Sequence, residues 1–118
     1  MTEQLLPSAS ASMKTDPSLA YHNFVDTCRS QATRRVYVKA LRYFMGYLRL
    51  SLQAYDKLLD KDPKFIQMDI CDFITFMKKN HSSTTVTLYV AALNKFFAMN
   101  DVTTLNWKKI HSFEGERY

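Results

Sequence analysis

The 118-residue chain predicts an all-α fold, a compact bundle of four to five helices, and three observations carry that expectation. Glycine and proline number only two and three, too little turn material for the many hairpins of a β fold. Apolar residues recur at three- and four-residue steps in one segment after another, which is the period of a helix face. Apolar residues make up 47% of the chain and aromatic residues 14%, enough for one modest core and against general disorder.

The elements follow in chain order. Residues 1–15, MTEQLLPSASASMKT, are small and polar without a sustained period, and read as a flexible tail. Asp16-Pro17-Ser18 opens a short first helix, with Asp16 as N-cap and Pro17 at the first helical position. Leu19 or Ala20, Phe24 and Cys28 give it an apolar side, and it ends near Thr27.

The segment 30–52, SQATRRVYVKALRYFMGYLRLSL, is the main helix. Tyr37, Leu41, Phe44 and Leu48 line its buried side, and Ser30 or Thr33 offers a hydroxyl cap. Arg34, Arg35, Lys39, Arg42 and Arg49 fall off that seam, towards water. No acidic residue stands between Asp26 and Asp56. Solvated helix faces ordinarily mix signs, because opposite charges four residues apart stabilise each other. These cations lack such partners, so an external anion is their natural complement.

Residues 53–65 carry mixed charge and Pro63, and form the main connector, with a turn of helix around Tyr55 to Leu59. A third helix starts at about Asp69. Ile70, Phe73, Ile74 and Met77 make its stripe, Asp69 and Asp72 suit its positive end, and Lys78 and Lys79 its negative end. The fourth begins in the hydroxyl cluster Ser82 to Thr85 and runs to about Asn100, burying Val86, Tyr89, Val90, Leu93, Phe96 and Phe97. Asn106 opens a last helical piece, WKKIHSF, before Gly115.

The net charge of +5 and pI near 9.3 suit a polyanion partner without requiring one. Cys28 and Cys71 have no metal-ligand spacing and read as reduced thiols of an intracellular protein. No run of apolar residues is long enough for a membrane helix, and the N-terminus lacks a secretory pattern. His22, His81 and His111 are scattered, and no nucleophile–base pair, glycine-rich phosphate loop or metal motif occurs, so neither catalysis, a cofactor nor a metal is expected. Two helix starts, Ser30 to Arg35 and Ser82 to Thr87, combine hydroxyls with unpaired backbone N–H groups, an arrangement that attracts phosphate. Plain capping is the competing explanation for both.

Three motifs in order resemble one family. Thr33, Tyr37, Leu41 and Phe44 form a T-x-x-x-Y-x-x-x-L-x-x-F pattern similar to the opening helix of the core-binding domain of tyrosine recombinases. D-I-x-D-F-I-x-F-M at 69–77 resembles that domain's middle helix, and S-S-T-T-V-T-L-Y-V-A-A-L-N-K-F-F at 82–97 its later, hydroxyl-led helix. The lead-out D-V-T-T-L-N-W-K-K-I is similar in style to archaeal integrases. The resemblance covers residues 17–100. It implies a SAM-like domain forming half of a clamp around double-stranded DNA, with DNA contacts from Thr33, Arg34, Arg35, Lys39 and Arg42 on one helix and from Ser83, Thr84, Thr85 and Thr87 on the other. It further implies a core-binding domain at 16–105 and a linker at 106–118 towards a catalytic domain that this chain lacks. The chain itself would bind and not catalyse, its parent being a site-specific recombinase acting with other protomers in the cytoplasm or nucleoid. The alternative is a helical protein-interaction module whose basic face meets an acidic partner.

Overall fold

A computed structural model describes residues 17–114, and everything below concerns those residues; the expected tail at 1–15, the cap at Asp16 and Tyr118 lie outside them. The chain forms α1 (Pro17–Val25), α2 (Gln31–Tyr47), a 3-10 helix (Tyr55–Leu59), α3 (Pro63–Asn80), α4 (Ser83–Met99) and α5 (Trp107–Glu114). No strand occurs among the described residues. All-α architecture is therefore observed, with five α-helices among the described residues and the expected turn at Tyr55–Leu59.

The predicted apolar stripes form the core. Leu41 and Phe44 of α2 meet Ile70, Phe73, Ile74 and Met77 of α3 and the six expected residues of α4 in one buried cluster, joined by Ala40, Met45 and Ile110. Tyr37 and Leu48 are only partly buried against it. α2 and α4 run in opposite senses. Tyr43, late in α2, makes T-shaped ring contacts with Tyr89, early in α4, and with His81 just before it. Phe24 of α1 lies between Tyr37 of α2 and Phe96, late in α4. Asn100, which caps α4, ties in α1 by donating to the Ala20 carbonyl at 3.2 Å and accepting from Asn23 at 3.0 Å.

Two boundaries differ from the sequence reading. α2 stops at Tyr47, not Leu52. The Arg49 N–H bonds the Gly46 carbonyl and the Leu50 N–H the Met45 carbonyl, a Schellman closure with Arg49 in the left-handed region at φ 63. Such closures usually announce themselves by a glycine, and here arginine takes the position. α4 ends the same way, with Asp101 at φ 65 and bonds from Asp101 to Ala98 and Val102 to Phe97. α3 begins at Pro63 rather than Asp69, because Asp62 caps it through the Lys64 N–H at 2.9 Å and Pro63 stands where a helix needs no donor. Asp69 is thus well inside the helix, where it pairs with Lys61 at 2.6 Å instead of meeting the helix's positive end.

The segment expected to lead away from the domain at 106–118 is, over its described part, a packed helix. Ile110 of α5 is fully buried, Lys78 of α3 donates to the Phe113 carbonyl at 2.6 Å, and Gln67 accepts from the Asn106 N–H at 2.8 Å. Cys28 and Cys71 are free thiols, the second buried.

Two stability outcomes follow. Gly46 is helical and a Cβ there would meet nothing within 4 Å, so Gly46→Ala should stabilise the fold by about 0.5–1 kcal/mol in urea unfolding. Phe24 is fully buried between two rings of other helices, so Phe24→Ala should cost about 3–5 kcal/mol in the same assay.

Candidate nucleic-acid interface

The outer side of α2 carries Gln31, Arg34, Arg35, Val38, Lys39 and Arg42, spaced so that they share one helix face. Together with Tyr21, Tyr43 and Leu52 they line an open groove of about 680 Å³. Arg35, Lys39 and Arg42 are exposed, and Arg34 is half-buried with its guanidinium 3.5 Å from the Val25 carbonyl. Close contacts of basic with acidic side chains among the described residues join His22 to Asp26, Lys61 to Asp69 and His111 to Glu114. None reaches the α2 cations. Among the described residues, no carboxylate lines the groove. Among the described residues the unanswered positive charge expected from the sequence therefore persists, over the roughly 12 Å that eight residue steps of helix span.

The hydroxyls are placed differently. At the start of α2 the Ser30 hydroxyl accepts from the Thr33 N–H at 3.1 Å and donates to the Thr33 hydroxyl at 3.1 Å. At the start of α4, Ser82 and Thr85 repeat the arrangement at 3.2 and 3.1 Å. Capping thus occupies Ser30, Thr33, Ser82 and Thr85. The Thr87 hydroxyl donates to the Glu114 carboxylate of α5 at 3.0 Å, which sets a negative charge beside it. Ser83 and Thr84 remain exposed. Since α2 and α4 are opposed in direction, their hydroxyl-led starts lie at opposite ends of the pair, on the order of 20–25 Å apart for helices of this length. The structure brings Arg34, Arg35, Lys39 and Arg42 together in one groove. Ser83, Thr84 and Thr87 line a separate surface with Leu88 and Ala91.

Tyr21, Tyr43 and Leu52 belong to the groove but were not among the residues singled out in the sequence. Val38 and Gln31 could have been found by extending the i, i+3, i+4 series from the arginines. Tyr21 and Leu52 arrive from α1 and from the segment after α2, and no local pattern announces them. Burial raises the Tyr55 phenol pKa above its ordinary value, as does neighbouring Tyr21, while Arg42 opposes them. The hydroxyls of Tyr47 and Tyr89 are raised as well, chiefly by burial.

Compared with known protein families, with curated proteins and with solved structures, the chain matches none. The recombinase likeness accordingly rests on its three sequence motifs alone.

The tyrosine shifts set an alkaline limit. A raised pKa means that the folded chain holds these protons more tightly than the unfolded chain does. The associated stability is complete below the unfolded value near 10 and is lost as pH rises through the higher folded values. Thermal unfolding should thus show no tyrosine-linked change up to about pH 9 and a falling midpoint above about pH 10. Substitution of Tyr55 by Phe should flatten part of that fall.

Proposed function

We propose that this chain is a DNA-binding helical domain, serving as the core-binding, SAM-like part of a site-specific tyrosine recombinase or integrase. The observation that carries the reading is the row Arg34, Arg35, Lys39 and Arg42 on one face of α2, facing an open groove that no carboxylate of the described residues lines. Cations on a rigid helix at this density complement the phosphates of a nucleic acid, and release of counterions on contact supplies most of the affinity. In this reading the chain grips the backbone of double-stranded DNA. Chemistry, exchange of strands and contacts with other protomers belong to the catalytic domain of a parent chain inside the cell. Contacts from the start of α4 are secondary, since capping and Glu114 occupy most of its hydroxyls.

A second reading has its own observation. Phe65 and Met68 of α3 are 52% and 54% exposed, which suits a protein-interaction module. They lie on a different helix from the basic row, so a protein partner held there would leave the α2 cations unanswered.

Fluorescence anisotropy with a labelled duplex at several salt concentrations separates the two. Log K should fall with log salt by about 0.9 per phosphate contacted, near −4 for four contacts. Arg35→Ala combined with Arg42→Ala should reduce that slope by about two contacts' worth while leaving helical content unchanged. Salt-independent binding, or a double variant that binds like the parent, would remove this face from the account.

A further inference from the structure

The groove is not lined as a pure phosphate reader would be. Val38 and Leu52 line it beside the cations, as do Tyr21 and Tyr43. A protein that only tracks a duplex backbone needs cations and hydrogen-bond donors; an apolar floor and accessible rings add nothing, because the bases are stacked out of reach. Tyr43 is 41% exposed, yet its ring is held by T-shaped packing on His81 and Tyr89 and its hydroxyl lies 3.3 Å from His81 Nε2. A ring already fixed in place loses little freedom when a flat ligand stacks on it. Gln31 supplies an amide able to pair with a base edge. The volume, about 680 Å³, falls in the roughly 300–1,000 Å³ range that accommodates a small planar ligand with its substituents.

We propose that this groove seats an unstacked base with its flanking phosphates, Tyr43 and Tyr21 supplying the stacking surfaces and Arg35, Lys39 and Arg42 the phosphate contacts. The preferred nucleic acid is then single-stranded or locally unpaired, not continuous duplex. The inference rests on the polyanion part of the reading above and replaces the continuous duplex proposed there with an unpaired strand. Stacking on aromatic side chains tolerates any base, since each has a π-face, and it adds to the salt-dependent backbone term.

The test uses the full chain with a labelled twelve-residue oligothymidylate, a duplex of equal phosphate number, and free thymidine monophosphate as competitor. The single strand should bind at least about fivefold tighter than the duplex, which is less than the stabilisation of a single stacked base. Tyr43→Ala should weaken single-strand binding more than duplex binding and so remove most of that preference, and Tyr43→Phe should keep it. Because Tyr43 also packs inside the bundle, an independent measurement on the unaltered chain accompanies the variants: a 5-iododeoxyuridine oligomer, irradiated in complex, should crosslink to the peptides bearing Tyr43 or Tyr21. Equal losses for single strand and duplex in Tyr43→Ala, or crosslinks only elsewhere, would overturn the base-stacking proposal while leaving polyanion binding intact. Displacement by thymidine monophosphate as effective as by the oligomer would overturn the polymer as the source of the ligand. Absence of salt-dependent binding to both oligomers would instead overturn the polyanion reading itself.

Discussion

The packing of α2 against α4 is the constraint on which the remaining arrangement depends. α2 must bury Ala40, Leu41, Phe44 and Met45, and Tyr43 and Tyr37 anchor its two ends, one to Tyr89 and the other through Phe24 to Phe96. Once those residues are inside, helical periodicity leaves no freedom for the rest: Arg34, Arg35, Lys39 and Arg42 must face outward together. Their shared outward side is a consequence of core packing. Burying them would need carboxylate partners, which no neighbouring element provides among the described residues.

The same opposed packing separates features that looked equivalent in the sequence. Both long helices begin with Ser-x-x-Thr, and both use it for the same reciprocal cap. The first cap adjoins the cation row, whereas the second lies at the far end of the pair with Glu114 close by. A shared hydroxyl motif is therefore weak ground for a shared role: satisfying the orphan N–H groups of a helix start is demand enough to explain it. Cation placement is more informative, because the helix gains little from a row of like charges that it could not gain from mixed ones.

Much of the fold was legible because it is written in local period. The stripes of α3 and α4 were readable residue by residue, and Pro17 and Asn106 marked the starts of α1 and α5. The end of α2 was harder to see, since Arg49 holds a left-handed position that glycine usually signals, whereas α4 stops within a residue of the expected Asn100. Pro63 was ambiguous for a similar reason: proline stops a preceding helix and opens a following one, and only the Asp62 cap decides. Of the candidate site, the α2 cations were visible as an imbalance of sign. The groove around them was not, because Tyr21 and Leu52 reach it only through the tertiary packing of α1 and of the chain beyond Tyr47.

The central claim is that the outer face of α2 is the polyanion-binding surface of this chain. The most direct measurement is a two-dimensional ¹H–¹⁵N titration of the labelled protein with a short unlabelled nucleic acid at low salt. The account predicts that the largest shifts follow residues 31–43, together with the arginine side-chain signals of that helix, and that they fade as salt is raised. Shifts centred on Phe65 and Met68 of α3, or no saturable shifts at all, would contradict it.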